Sequence, residues 1–596
     1  MKALLKRLFS DSGKKQKLGP KVPVVVLSSG FGLRMRPLTG NLFPKLLCTI
    51  GQKTLFNQMI ENITPICSKL YVISSSKDLA IIKKWFEQNC EAPFQMECFE
   101  YHDFAGSWDA IHKFGIAHPE ITKCIIHWSD LTAPFNTRAL TVDDDKNVIV
   151  YCSDLDAKCR FGVDSEGEIS MGSKYGNVIG IYGVKNLQKL INQDLPSDFI
   201  VPDFANILEY MQSKANAPIL TPIYIKSKNI IDNGDMNKHS LVMEQSSNQV
   251  RYFNDISFRS DRVIKTAICP RGVQVMKKEI EFYTKLGELC GTVLPKIYKT
   301  RIEENFAQIE MELLPGETVH ELLSSGIYSN DEIIKAVFEA LTTIHNIDQE
   351  IIDCEPAIIE EYVDTIFSRV KEIEMIIPRS KNVICWLTAY NPYTFAKATV
   401  EIDTSNEMLD KLVQSFVNVL KQTKFIKCII HGDPNSKNMV GQYTSDGYKI
   451  KLIDPRGKFG SWSLVGERTY DYAKFIYGCH AYSHFNHSKD CTIKYERVGL
   501  REAVKFDMSQ FTDIGIDKLV EYVYRYHSAF DEDRKQLIIA WYTTMLGMIF
   551  LKLTGYIKND PTKALYAYMY GIYLMDKGLE PLENYVKNNK TIELFI

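Results

Sequence analysis

The sequence lacks three features that would narrow its class at once. No two of its 14 cysteines stand at the CxxC spacing of a zinc or redox site. Its 71 basic and 73 acidic side chains nearly cancel, leaving a formal charge of -2. Bulk electrostatics therefore directs it to neither nucleic acid nor an acidic membrane. No apolar run reaches the ~20 residues of a spanning helix; the most apolar stretch, Trp541 to Leu553, falls well short. Internal repeats and long low-complexity tracts are also missing. The expectation is a soluble, cytoplasmic protein with reduced thiols, no nucleic-acid partner and no stable membrane insertion, with oligomerisation left open. The 596 residues are too many for one compact core, so two or three domains are expected.

The first 21 residues carry seven basic side chains and one acid, Asp11. Their apolar part is too short and interrupted for a signal peptide, and residues 1–21 are read as a disordered basic tail. From Val22 onward, β-branched strand patterns (Val22 to Leu27, Leu70 to Ile73, Cys124 to Trp128) alternate with helical ones such as Asp78 to Cys90. That alternation predicts an α/β, doubly wound domain over residues 22–243. The polar stretch Glu244 to Gln249 marks a boundary. Residues 250–318 then read as a small sheet-rich lobe with one helix, Val273 to Leu286. Residues 319–596 read as a helical lobe interrupted only between His431 and Asp454.

That interruption holds His431-Gly432-Asp433-Pro434-Asn435-Ser436-Lys437-Asn438, followed after a strand pattern by Asp454. Asp433 is placed to accept the proton of an attacking hydroxyl. Asn438 and Asp454 are hard oxygen ligands for magnesium on ATP. Far upstream, Gly30-Phe31-Gly32-Leu33-Arg34-Met35-Arg36-Pro37-Leu38-Thr39 follows the first strand, with Pro44-Lys45 behind it. Gly30 and Gly32 let backbone N–H groups approach triphosphate oxygens. Arg34 can fork onto phosphates, and Lys45 offers a point charge where negative charge builds.

The upstream run resembles the sugar-1-phosphate nucleotidyltransferase family over roughly residues 22 to 240. Ser28 and Ser29 replace the usual Ala and Gly, Leu33 replaces Thr, and one extra residue separates Thr39 from Pro44. The resemblance implies that Asp130 and Asp232 hold magnesium and that Gly106 to Ala110 faces the base. Lys174 is a candidate for the acceptor phosphate, with a solvated surface lysine as the equal alternative.

The downstream strings, HGDxxxxN and IDPRG, resemble the aminoglycoside and choline kinases, which share the protein-kinase-like fold. The resemblance implies a bilobal α+β phosphotransferase domain over residues 250–596. In it Lys265 would contact the ATP phosphates, with Glu279 (or Glu281) as its ion-pair partner. The stretch containing Glu312 would meet adenine, His431 would brace the catalytic loop by hydrogen bonding, His345 would be structural and Asp471 would be a buried loop anchor. Arg456 either touches an anionic substrate or holds its loop.

Together these imply a bifunctional enzyme using Mg2+, ATP and a second NTP on small-molecule substrates. It would phosphorylate a sugar or similar alcohol and then make a nucleotide-linked sugar, for surface glycans. The alternatives are a choline or other small-alcohol kinase joined to a CTP-dependent cytidylyltransferase, or one domain acting only as a binding module.

Overall fold

The computed structural model describes residues 19–28, 39, 43–50, 53–103, 105–144, 146–153, 161–163, 168–171, 177–193, 203–215, 219–226, 229–232, 254–259, 261–267, 269–325, 329–381, 383–391, 394–445, 447–479, 492–498, 501–507, 532–558, 560–588 and 590–593. The basic tail up to residue 18, Gly30, Gly32, Arg34, Lys174 and the polar stretch at 244–249 lie outside them. The chain divides into two compact units, Met1–Ser247 and Asn248–Ile596.

The first unit is built on a mixed sheet, nine-stranded among the described residues. Its centre is β1 (Val22–Leu27), β2 (Cys67–Ser74), β3 (Met96–Glu100) and β4 (Cys124–Trp128), in the order β4-β1-β2-β3 and all parallel. Val24 to Val26 and Leu70 to Ile73 are buried, which is why they read as continuous apolar runs rather than alternating ones. Helices α1 (Leu55–Ile63), α2 (Ser76–Asn89) and α3 (Ser107–Ala117) connect them. The first two are capped by Thr54 and Ser75, whose side chains accept from the third residue on. Beyond β4 comes the short β5 (Leu131–Thr132). The sheet then continues through β6 (Val148–Ser153), β7 (Phe161–Val163), β8 (Ile169–Met171) and β9 (Asn177–Val184), with β9 antiparallel to β4. After α4 (Phe204–Ala215), β10 (Leu220–Ile225) runs parallel to β6. β11 (Ile231–Asp232) pairs with β5 rather than with the main sheet. Gly180 in β9 has φ +86°, and a Cβ there would lie 2.6 Å from the Trp128 ring, so only glycine lets the two strands meet at that aromatic face.

The second unit opens with an antiparallel sheet: β12 (Asn254–Arg259), β13 (Arg262–Ala267), β14 (Ile297–Glu303) and β15 (Phe306–Glu312), with α5 (Pro270–Leu286) against it. The larger lobe contains α6 (Asn330–His345), then β16 (Val383–Asn391), β17 (Thr394–Ile402), α7 (Asn406–Lys421) and β18 (Thr423–Ile429). It continues through β19 (Met439–Thr444), β20 (Gly447–Leu452), α8 (Arg468–Tyr477), β21 (Thr492–Val498) and β22 (Arg501–Asp507), and ends in α9 (Glu532–Tyr556) and α10 (Pro561–Lys587).

This corrects the expectation that helices run from residue 319 with one interruption. β17, β16, β22 and β21 form a four-stranded sheet in the larger lobe, in that order. Its signal was present: two β-branched and aromatic nine-residue runs flank Pro392-Tyr393, a hairpin pattern. A second correction concerns the apolar stretch at 541–553. The helical segment Arg534–Tyr556 is long and apolar enough to cross a membrane by length and composition, but 89% of its apolar window is buried inside the structure, as in a core helix. Trp541, Tyr542, Tyr566, Tyr568, Tyr570 and Tyr573 are all buried there, as packing residues.

Candidate functional site

In the first unit the chemistry gathers at the carboxyl ends of β1 and β4, where open α/β sheets bind ligands. Ser28 N–H donates to Ile73 O (2.9 Å), which ties the end of β1 to β2, and Ser129 N–H donates to Leu27 O (3.1 Å), which keeps the β1 and β4 exits side by side. Lys45 opens a 3-10 turn, Lys45–Leu47, whose Leu46 and Leu47 are buried. That anchor brings Lys45 Nζ to 3.1 Å from Asp130 Oδ2, with both side chains 18% exposed. Asp232 stands opposite Leu131 in the β5–β11 pair, one residue from Asp130. Two carboxylates and the lysine of the motif therefore share one strand-end neighbourhood, although Asp232 lies about 100 residues downstream. His127, just before, is fully buried; burial pulls its pKa down to about 4, so it is a neutral core residue.

The segment Gly106 to Ala110 forms the first turn of α3. Each side chain there has a structural partner. Ser107 Oγ accepts from Phe204 N–H (2.8 Å), Trp108 stacks on Phe204, and Asp109 accepts from Tyr101 OH (2.7 Å) and pairs with Lys113 (2.9 Å).

In the second unit, β13 and α5 bring Lys265 and Glu279 together in the core. Lys265 Nζ donates to Glu279 Oε1 (2.7 Å) and Oε2 (2.8 Å) and, across to the larger lobe, to Asp454 Oδ1 (2.6 Å). Lys265 and Glu279 are buried. Burial opposes the ammonium charge, yet the two carboxylates outweigh it and raise the lysine pKa. Glu281, the alternative partner, instead pairs with Lys278 and Lys285 on the surface. Asp454 has φ +58°, a left-handed conformation uncommon for a non-glycine residue. The Lys265 bond, and one from its own N–H to Tyr283 OH (3.2 Å), hold it there.

The catalytic-loop candidate hangs from one buried carboxylate. Asp471, in the first turn of α8, accepts from His431 N–H (2.7 Å), Gly432 N–H (2.8 Å) and His345 Nε2 (3.0 Å). Gly432 has φ +80° and turns the chain so that successive N–H groups face that carboxylate. His431 Nε2 donates to Ile453 O (2.9 Å), while its Nδ1 accepts from Asp433 N–H (3.3 Å). Burial lowers the His431 pKa, which favours this neutral tautomer. Asn438 Nδ2 donates to Asp433 O (3.0 Å), which turns its Oδ1 away from the loop backbone. Ile453 N–H returns to Asn438 O (2.9 Å), so the Asn438 and Asp454 segments run together. Enclosure pushes the Asp433 pKa up, but Lys474 and Arg456 outweigh it and hold the carboxyl below its ordinary value.

Arg456 holds its loop: its Nη1 donates to Glu361 Oε1 (3.1 Å) and Tyr470 OH (3.1 Å), and its N–H to His431 O (2.8 Å). Glu361, on a π-helical turn at Glu360–Asp364, also accepts from Lys552 and from Gly460 N–H (3.1 Å). Burial would raise its pKa, but Lys552 and Arg456 drive it far below the usual carboxylate range. Neither Glu361 nor Lys552 belongs to a motif, so sequence reading missed both. Glu312 is placed at the end of β15: its carboxylate pairs with Lys451 (2.8 Å), and its N–H donates to Lys296 O (2.8 Å).

The first unit thus gathers a lysine and two carboxylates at its strand ends, and the second a lysine–glutamate–aspartate triad together with a loop that carries an Asp and an Asn. Comparison bears on the first half directly. Residues 23–154 match the Nucleotidyl transferase family. Among solved structures, the chain is similar to a protein described as a glucose-1-phosphate thymidylyltransferase from Bacillus anthracis (15% identity, TM-score 0.33, 39% of this chain and 97% of that one). It is also similar to an inositol-1-phosphate CTP transferase from T. maritima (13%, 0.31, 39% and 100%) and to an ADP-bound aminoglycoside phosphotransferase (13%, 0.31, 55% and 92%). No curated protein matches the chain.

Proposed function

We propose that the chain is a bifunctional enzyme that makes a nucleotide-activated sugar in the cytoplasm, as a precursor for surface glycans. The second unit phosphorylates a sugar or similar alcohol with ATP. The first joins the resulting phosphate to a nucleoside monophosphate and releases pyrophosphate. The observation that carries the reading is Lys265, bonded at once to Glu279 and Asp454, beside a loop that presents Asp433 and Asn438.

In the kinase half, Asp433 takes the hydroxyl proton as the hydroxyl oxygen attacks the γ-phosphorus. Lys265 positions the ATP phosphates. The donor set suits magnesium: the Asn438 amide oxygen and the Asp454 carboxylate are hard oxygens on adjoining segments. When bound, magnesium neutralises phosphate charge. In the transferase half, Lys45 stabilises charge on the α-phosphate as the sugar phosphate attacks it. Asp130 and Asp232 supply the carboxylates for a cation there. Arg34, Gly30 and Gly32 complete the proposed triphosphate cradle. Placing both activities on one chain raises the local concentration of the intermediate.

The test is a substrate screen of the intact chain: sugars and choline with ATP and magnesium, then the four NTPs, read by mass spectrometry. A sugar phosphate followed by a nucleotide sugar is expected. Phosphocholine followed by CDP-choline would replace the sugar reading. No pyrophosphate with any NTP across a broad acceptor panel would leave the first unit a binding module.

A further inference from the structure

α8 does more than anchor the catalytic loop. Asp471 and Lys474 are three residues apart on it and so share one face. Asp471 holds the loop backbone, and one turn further Lys474 Nζ lies 3.2 Å from Asp433 Oδ1. The Lys474 side chain is 17% exposed, and the Tyr470 and Tyr477 rings flank its ammonium at 5.8 and 5.7 Å from their centroids. The cation beside the base therefore comes from a helix some 40 residues downstream.

We propose that Lys474 is a catalytic residue that donates a hydrogen bond to the transferring phosphoryl group. The assignment rests on the kinase reading of this unit. In the reaction the acceptor hydroxyl oxygen forms a bond to the γ-phosphorus. The bond from that phosphorus to the β,γ-bridging oxygen breaks, ADP leaves with the electron pair, and the hydroxyl proton passes to Asp433. The attacking oxygen sits ~3 Å from both base and phosphorus. An ammonium 3.2 Å from the base is thus within a rotamer change of the equatorial phosphoryl oxygens. Lys474 pairs with Asp433 before ATP arrives and turns to the phosphoryl oxygens as their charge is shared out.

The experiment compares binding of Mg·ADP with binding of Mg·ADP plus aluminium fluoride, a mimic of the transferring phosphoryl group, by titration calorimetry at pH 8.5. The wild-type chain should bind the fluoride complex more tightly than Mg·ADP alone. Lys474→Met should bind Mg·ADP unchanged but lose about 10²-fold of that advantage. Lys474→Arg, which keeps the charge, should retain most of it. An advantage kept in full by Lys474→Met, or absent from the wild type, overturns the assignment. Failure of the wild type to bind Mg·ADP at all overturns the kinase reading itself.

Discussion

Asp471→Asn is the sharpest test of how the proposed kinase site is held. The substitution is nearly isosteric, so packing is untouched, but the site offers three donors to a group that can then accept on one side only. The best amide orientation keeps its oxygen toward His431 N–H and His345 Nε2, which share Oδ2, and turns its NH2 toward Gly432 N–H. One buried donor loses its acceptor and faces another donor, at a cost of ~1–3 kcal/mol. The two surviving bonds lose their charge assistance, ~0.5–1 kcal/mol each. The sum is about 3 kcal/mol, or about 10² in the opening equilibrium of the loop. Hydrogen exchange by mass spectrometry on the intact chain reads this directly. Peptides spanning residues 431–433 should lose about 10²-fold of protection, while peptides from β1 and β2 in the other unit stay unchanged. Because Asp433 is the next residue after the two anchored amides, phosphorylation should fall by more than the stability does. Unchanged exchange at 431–433 would refute the anchoring argument.

Asp433→Asn and Asp454→Asn should each lower ATP-dependent phosphorylation by several orders of magnitude with circular dichroism unchanged; near-normal turnover in either variant counts against its role. Lys45→Ala and Asp130→Ala should cost ~3–4 kcal/mol of transition-state stabilisation and abolish pyrophosphate release while sparing phosphorylation, measured on the same preparations. The depressed pKa of Asp433 means that the base is already ionised at its ordinary value of 3.8 and is protonated only below it. The kcat/KM profile for phosphorylation should therefore show no Asp433 limb above pH 5, and an acid limb near pH 6 matched by a carboxyl titration of Asp433 followed by NMR would contradict the geometry. Glu361, whose folded pKa is also depressed, contributes stability that is present above its ordinary 4.5 and lost as pH falls. Glu361→Gln should flatten the acid-side loss of stability in chemical unfolding.

The sequence by itself determined the parts of each site that a contiguous backbone must build. Asp433 and Asn438 lie on one turn, and Lys45 lies just behind a glycine-rich run. Their spacing is dictated by local loop geometry, so it is legible without a fold. The parallel-strand core was equally legible, because strands buried on both faces must be apolar throughout. The choice of Glu279 over Glu281 was not. Two carboxylates two residues apart on a helix point in different directions, and only the placement of α5 on the sheet decided which one meets Lys265. The approach of Asp232 to Asp130, the three donors on Asp471 and the Glu361–Arg456–Lys552 cluster were likewise decided by tertiary structure. Each joins residues from segments distant in sequence. For the Asp471 and Glu361–Arg456–Lys552 clusters desolvation then makes the pairing obligatory: a buried charge without its partner costs several kcal/mol, and no local pattern records where that partner will be found.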